Sequence, residues 1–202
     1  MERTIVVISA GLGSPSSSRL LAEQLQAASS VELGKLGEQS NLRLVELRDL
    51  AVDIANNLVT GYAAPALQEV IDAVQQADGV IAVTPVFSAS FSGLFKSFFD
   101  LIDPKSLAGT PVILAATGGT ARHSMVIDFA LRPLFGYLRA AIVPTGVFAA
   151  PDDWGDVRLN QRVTQAASEF AEALVGNAPR RSGATMESLP FEQLLANISE
   201  QN

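Results

Sequence analysis

The chain alternates between short, almost wholly apolar runs and longer stretches in which apolar residues recur at helical spacing. The apolar runs are Ile5–Ile8, Leu42–Leu47, Gly79–Val83, Pro111–Ala116, and a fifth that starts at Ala141–Val143 and continues through Val147 and Phe148. Continuous β-branched runs of this length are typical of strands covered on both faces, as in parallel sheets. The second run alternates with polar residues, so we expect it to be the more exposed strand.

The stretches between these runs have the apolar spacing of amphipathic helices. They are Ser17–Ser29, Ala64–Ala77, Gly93–Ile102, Ser124–Leu138 and, after the fifth run, Asp156–Val175. Strand and helix alternating five times indicates βαβ units. The predicted fold class is therefore α/β, with an open, doubly wound, five-stranded parallel sheet and helices on both faces.

The alternation stops at Val175, which predicts one domain over residues 1–176 and a tail over residues 177–202. Residues 176–183 are rich in Gly, Pro and Ser and read as a linker. Beyond them Phe191, Leu194, Leu195 and Ile198 recur at the spacing of a short amphipathic helix. We expect this helix to pack against another subunit or the flank of the sheet; the alternative is a frayed tail.

Composition excludes several classes of function. The 202 residues contain 14 Lys and Arg against 21 Asp and Glu, a net charge of −7, and a chain of this balance without a basic run is not expected to bind nucleic acid. The absence of Cys and the presence of one His rule out thiolate chemistry and a His-rich metal site, so no metal is expected. The polar start leads directly into the first strand, and no run reaches the roughly 18–20 apolar residues that span a bilayer. We therefore expect a cytoplasmic protein.

The loop after the first predicted strand is the strongest candidate site, because ligands of doubly wound folds bind beyond the carboxyl ends of the strands. It is rich in Gly and Ser, it opens directly into a helix, and its hydroxyls come from Ser14, Ser16, Ser17 and Ser18. Hydroxyls, free backbone N–H groups and the positive end of a helix together predict a phosphate site, with Arg19 as a countercharge. The loop lacks the third Gly of the dinucleotide fingerprint and the Lys of a P-loop. The alternative is a serine helix cap on a flexible loop.

Two further loops follow the third and fourth predicted strands. Residues 84–100 combine Thr-Pro, small residues and several Phe, which suits a flat wall for a planar ring; the alternative is a plain loop whose Phe residues face the core. Residues 117–124 begin Thr-Gly-Gly, and paired glycines let the backbone N–H groups approach a ligand closely. The lone His123 is more often a polar loop or cap residue than a catalytic one.

Taken together, these three loops resemble the NADPH-dependent FMN reductase family. The resemblance rests on Gly11–Arg19, on Thr84–Phe87 with Ser92–Lys96, and on Ala116–Thr120 with His123. Asp128–Leu134 and Gly146–Ala149 are similar to the branch that serves two-component alkanesulfonate monooxygenases. The likeness covers residues 1–175 and implies a flavodoxin-like fold, FMN as the flavin, and homodimers or homotetramers.

The resemblance also implies a role for each site residue. Ser14, Ser16, Ser17, Ser18 and Arg19 would hold the FMN phosphate; Pro85, Val86, Phe87 and Ser88 would line the ring and the ribityl chain; Thr117, Gly118 and Gly119 would bond near the ring, with His123 close by. One departure concerns Phe87 and Ser88, which stand where many relatives carry Tyr-Asn. A hydroxyl and an amide are therefore missing from this wall, while the stacking surface is kept.

The implied function is hydride transfer from NADPH to FMN, with the reduced FMN released to a partner monooxygenase. Because this chemistry is intrinsic to the two cofactors, the protein has to position them and no side chain is expected to be catalytic. Alternatives are a quinone or azo reductase with tightly bound FMN, a flavodoxin-type electron carrier, and a phosphate-binding protein without flavin. NADPH and NADH both remain open as donors, with Arg19 and Arg122 as candidates for contact with a 2′-phosphate.

Two predicted helices are too apolar for a helix with one face in water. Ser124–Leu138 is apolar nearly all round, and Gly93–Ile102 similarly carries Leu94, Phe95, Phe98, Phe99, Leu101 and Ile102. We therefore expect a homo-oligomer that buries both helices.

Overall fold

The computed structural model describes residues 2–177. The strands are β1 (Glu2–Ser9), β2 (Gln39–Glu46), β3 (Gly79–Phe87), β4 (Ser90–Phe91), β5 (Pro111–Thr117), β6 (Ala141–Ile142) and β7 (Val147–Ala149). The helices are α1 (Ser17–Lys35), α2 (Ala51–Thr60), α3 (Pro65–Gln76), α4 (Gly93–Phe99), α5 (Arg132–Tyr137) and α6 (Val157–Gly176). The predicted tail helix lies outside the described residues.

The sheet has the order β2-β1-β3-β5-β6, all parallel, and β7 pairs with the end of β5. The predicted doubly wound α/β fold is confirmed. From β1 the chain moves outward to β2 and then returns to place β3 on the other side of β1, so the strand order reverses between β1 and β3. Ligands of open α/β sheets bind at such a reversal, beyond the carboxyl ends of the strands.

The core has two halves, one on each face of the sheet. On one face α1 and α6 pack against the sheet. Phe170 of α6 lies so close to Gly79 of β3 that a Cβ on Gly79 would be 2.5 Å from the Phe170 ring. On the other face α3, α4 and α5 enclose a group of Phe rings, with Phe95 and Phe99 at a centroid distance of 4.6 Å and Phe99 and Phe135 at 4.9 Å. These two layers hold the strand ends that form the site.

The fifth predicted strand is divided into β6 and β7. Pro144 has no N–H to donate to a ladder, and side chains satisfy the backbone of the interruption instead. Glu169 of α6 accepts from the N–H and the hydroxyl of Thr145, both at 2.7 Å, and Arg162 Nε donates to the carbonyl of Gly146 at 2.8 Å. The interruption lets β6 pair with the start of β5 and β7 with its end.

Two other elements differ from the sequence prediction. β3 continues to Phe87 and turns back into β4 through Ser88 and Ala89, which both have positive φ (49° and 65°), as a tight hairpin turn requires. The segment after Thr84 is therefore a hairpin and not a loop. Helix α2 was not predicted, and Ile54 is its only fully buried residue.

The two apolar helices behave differently. The large side chains of α4, Phe95, Phe98 and Phe99, are buried inside the chain's own core, so the sequence argument for placing α4 in a subunit contact was wrong. The stretch predicted as Ser124–Leu138 contains a π-helical turn (Ile127–Leu131) that leads into α5. It keeps an apolar outer surface, since Phe129 is 73% exposed and Tyr137 is 72% exposed.

Candidate functional site

The loop between β1 and α1 folds back on itself around a glycine. A Cβ on Gly11 would lie 2.0 Å from Ser16 Oγ, so only glycine permits this close approach. Ser16 is the N-cap of α1, and its hydroxyl accepts from the N–H of Arg19 at 3.2 Å. The loop thus turns the N-terminal end of a 19-residue helix, with its free N–H groups, toward the carboxyl edge of the sheet.

A buried hydrogen bond joins this loop to the end of β5. Ser18 Oγ and Thr117 Oγ1 are 2.7 Å apart, and both side chains are almost fully buried. The bond fixes the first turn of α1 against the Thr-Gly-Gly segment across 99 residues of sequence. Two of the three predicted loops are therefore held in one arrangement by their own side chains.

The end of β3 supplies the second wall. Pro85 and Val86 are half-buried, and Phe87 exposes 47% of its surface at the rim. The hairpin behind them is anchored where Thr84 Oγ1 accepts from the N–H of Ser92 at 3.0 Å. This wall is apolar and faces the serine-rich loop.

The third wall is the turn after β5. The N–H of Gly118 donates to the carbonyl of Ala149 at 3.1 Å, and a Cβ at Gly118 would lie 2.9 Å from the ring of Phe148. At Gly119 a Cβ would meet nothing within 4 Å, and within residues 2–177 its N–H makes no hydrogen bond. Gly118 is therefore a packing residue, and Gly119 presents a free donor to the space beside it.

The three walls enclose a cleft of about 270 Å³. It is lined by Gly11, Leu12, Gly13, Pro15, Ser16, Ser17, Ser18, Pro85, Val86, Phe87, Thr117, Gly118, Gly119, Ala149, Pro151 and Trp154. None of these lining residues is charged or titrates near neutral pH. The cleft thus combines a cluster of neutral donors at one end with an apolar surface at the other.

Nine of the predicted site residues line this cleft: Ser16, Ser17, Ser18, Pro85, Val86, Phe87, Thr117, Gly118 and Gly119. Four do not. Ser14 and Arg19 line a neighbouring cavity that shares Ser16, Ser17 and Trp154 with the cleft. Ser88 lies at the exposed tip of the hairpin, and the Cβ of His123 is 3.3 Å from where a Gly118 Cβ would be.

Arg19 is engaged by two carboxylates on the outer side of the loop. Its Nε donates to Glu23 at 2.8 Å and its Nη1 donates to Glu46. The hydrogen bond with Glu23, followed by the charges of Glu46 and Glu23, raises the pKa of Arg19 above its ordinary value. The guanidinium is 45% exposed, so these pairs orient it more than they stabilise the fold.

Ala149, Pro151 and Trp154 are lining residues that the sequence argument missed. They follow the last strand, and the carboxyl ends of parallel strands meet at one edge of the sheet. The position of this segment was therefore a usable signal. Trp154 is the single tryptophan of the chain.

Two features are absent from the part of the chain that the structure describes. Among residues 2–177 no cluster of His, Asp or Glu could hold a metal ion. Over the same range no helix combines the length and apolar character needed to cross a membrane.

The residues present fit FMN. Its phosphate suits the neutral donors and the helix end, as an anion at a helix N-terminus requires, and its planar ring suits the apolar surface of Pro85–Phe87. The glycine at position 11 keeps the donors close together, since any side chain there would displace Ser16.

Comparisons with known proteins agree with this fit. Residues 3–155 match the model of the family described as NADPH-dependent FMN reductase. The chain is 39% identical over 176 residues to an FMN reductase (NADPH) of Pseudomonas aeruginosa, covering 85% of this chain and 92% of that protein. It is 36% identical over 178 residues to the NADH-dependent FMN reductase SfnE of Pseudomonas putida, with the same coverage.

Solved structures agree as well. An oxidoreductase from Corynebacterium diphtheriae superimposes with a TM-score of 0.85 at 44% identity, covering 88% of this chain and 99% of that one. A WrbA-like flavodoxin from Agrobacterium tumefaciens, at 14% identity and a TM-score of 0.59 over 87% of this chain and 98% of its own, confirms the flavodoxin-like fold. The chain is an oxidoreductase that belongs to the NADPH-dependent FMN reductase family.

Proposed function

We propose that the cleft binds FMN with its phosphate in the β1–α1 loop and its ring between the ends of β3 and β5, and that reduced FMN leaves for a partner monooxygenase. The observation that carries this placement is the Gly11–Ser16 contact. It brings hydroxyls and helix N–H groups together opposite an apolar wall.

At the phosphate end the roles of the serines divide. Ser16 and Ser17 line the cleft and are available to donate, whereas the Ser18 hydroxyl is bonded to Thr117 and holds the loop in place. Ser14 and Arg19 line the neighbouring cavity, and the Arg19 guanidinium is already paired with Glu23 and Glu46, so we assign them a supporting role at the phosphate and not a direct contact. Neutral donors and the helix end hold the anion without a lining cation.

At the ring end Pro85, Val86 and Phe87 supply the flat surface, and the free N–H of Gly119 supplies a donor. FMN bound here supplies the acceptor for a hydride from the reduced nicotinamide. The chain's part is to hold one face of the ring against the wall, leave the other face open to the donor, and keep the two at reacting distance. No side chain that lines the cleft is assigned a catalytic role.

We propose NADPH as the donor, with Arg122 as the contact for its 2′-phosphate. Arg122 is exposed in the turn that follows Gly119, and within residues 2–177 it makes no ion pair. Arg19, the other candidate, is already paired with Glu23 and Glu46. Arg122 lies three residues after Gly119, which lines the cleft, and a guanidinium that is not already paired is the group that an added phosphate would favour.

Release of the flavin is supported by the names of the relatives. Each is called an FMN reductase, and an enzyme that takes FMN as its substrate releases reduced FMN as its product. This favours a diffusing product over a fixed prosthetic group.

Stopped-flow oxidation of NADPH with free FMN in excess tests the proposal. The expected result is many turnovers per protein chain, limited by the supply of FMN, with reduced FMN accumulating in anaerobic solution. A single turnover followed by a stop would instead indicate tightly bound FMN, as in a quinone or azo reductase or an electron carrier.

We also propose that the chain forms a homo-oligomer through the outer surface of the π-helical turn and α5. Met125, Phe129 and Tyr137 are 54%, 73% and 72% exposed, and three exposed apolar side chains of this size within thirteen residues favour a subunit contact. Of the two helices expected in the contact, this is the one with a suitable surface.

A further inference from the structure

At the end of β2, next to the β1–α1 loop, a carboxylate and two arginines form a connected group. The Glu46 side chain is only 9% exposed and accepts from Arg48 Nη2 at 3.2 Å, while Arg19 contacts it from α1. Arg48 lies in the short turn that follows β2. None of the three lines the cleft.

Arg48 reaches from this group into the loop itself. Its Nη1 donates to the carbonyl oxygen of Gly13 at 2.8 Å, across 35 residues of sequence, and Gly13 lines the cleft. The C=O and the following N–H of a trans peptide point in opposite directions. Because the Gly13 carbonyl is held toward Arg48, the N–H of Ser14 points away from Arg48.

We infer that Arg48 is a positioning residue for the phosphate of FMN, acting through the peptide between Gly13 and Ser14. The inference rests on the placement of the phosphate proposed above. A loop of Gly and Ser has many accessible conformations, and the conformational entropy that it loses when a ligand orders it opposes binding. A charge-assisted bond to Gly13 fixes part of the loop before the flavin arrives.

The guanidinium suits this role better than an ammonium would. Its planar fork donates to Gly13 and to Glu46 at once, and Glu46 in turn keeps the fork oriented. The ammonium of Lys is a point charge with three rotatable donors, so Lys at this position would fix the direction of the two bonds less well.

Riboflavin separates this role from a general structural one, because it has the ring of FMN without the phosphate. The experiment measures KM and kcat with FMN and with riboflavin for the wild-type enzyme, Arg48→Met, Arg48→Lys and the control Arg43→Met. Arg43 lies on the same strand as Glu46 and pairs with the exposed Glu69 at 2.8 Å, away from the loop.

We expect Arg48→Met to raise KM for FMN by about tenfold, the effect of losing one charge-assisted hydrogen bond. Its KM for riboflavin and both kcat values should stay at the wild-type level, Arg48→Lys should be intermediate, and Arg43→Met should match the wild type. An equal rise in both KM values, or no rise in either, overturns the inference. If Arg48→Met does not fold, Arg48→Lys and Glu46→Gln carry the same FMN-against-riboflavin comparison.

The outcomes also separate this inference from the proposal on which it rests. A wild-type enzyme that binds riboflavin as tightly as FMN contradicts the phosphate placement and the inference with it. A wild-type preference for FMN that survives intact in Arg48→Met contradicts only the role of Arg48.

Discussion

Ser18 Oγ and Thr117 Oγ1 share a buried hydrogen bond of 2.7 Å that ties the start of α1 to the end of β5. The two residues were expected to contact different parts of the flavin. They contact each other, and the bond sets the distance between the loop proposed for the phosphate and the turn proposed for the ring.

Thr117→Val should lower the free energy of unfolding by about 1–3 kcal/mol, because it leaves the buried Ser18 hydroxyl without a partner. FMN affinity should fall as well, since the loop is no longer tied to β5. Chemical denaturation and an FMN titration measure the two effects. In the double variant Ser18→Ala/Thr117→Val most of the stability should return; strictly additive losses would mean that the two hydroxyls are not coupled.

Gly11→Ala should weaken FMN binding by about tenfold or more, because the added methyl displaces the Ser16 hydroxyl and removes a helix cap that is typically worth about 1 kcal/mol. The matched control is Gly34→Ala in α1, where an added methyl meets nothing within 4 Å and helix propensity favours Ala. Equal FMN dissociation constants for the two variants would show that the loop does not hold the flavin.

Arg122→Met should raise KM for NADPH by about tenfold and leave KM for NADH unchanged, since only NADPH carries the 2′-phosphate. Steady-state kinetics with both donors at saturating FMN measure the difference. The control is Arg139→Met. Arg139 is also exposed, and its carbonyl accepts from the N–H of Gly109, just before the start of β5 and so at the end of the strand opposite the cleft. A parallel change for both donors would assign Arg122 to the fold or to the flavin instead.

Phe129→Asp should convert the oligomer to a smaller species, because it places a charge in the apolar surface proposed for the subunit contact. Light scattering gives the mass, and Val31→Asp on the exposed side of α1 is the control. A wild-type enzyme that is already monomeric, or a Phe129→Asp enzyme of unchanged mass, would exclude this surface.

The sheet was predictable because its central strands are continuous apolar runs. β5, for example, is a short β-branched and apolar run that is buried along its whole length, as expected of a strand covered on both faces. Helix α2 was not predictable in the same way, since only Ile54 faces the core and the helix is fixed by its neighbours. The division of the fifth strand depends on Glu169, which lies 24 residues away from the interruption it bonds.

The sequence predicted which loops form the candidate site but not which side chains contact each other there. The loop after β1 and the Thr-Gly-Gly turn were selected because ligands of such sheets bind beyond the carboxyl ends of the strands. Which residues face inward was decided by partners distant in sequence. Glu46 draws Arg19 outward, and Thr117 occupies the Ser18 hydroxyl. The hairpin, which the sequence did not predict, carries Ser88 to an exposed tip outside the lining of the cleft.

The most direct test of the central claim is an FMN titration of the wild-type protein followed by tryptophan fluorescence. Trp154 is the only tryptophan of the chain and lines both the cleft and the neighbouring cavity that shares Ser16 and Ser17 with it, so it reports on binding at the β1–α1 loop. Saturable quenching should appear, with a midpoint that agrees with the KM for FMN and shifts upward in Gly11→Ala. Unchanged fluorescence at FMN concentrations that support full turnover would place the flavin elsewhere on the protein.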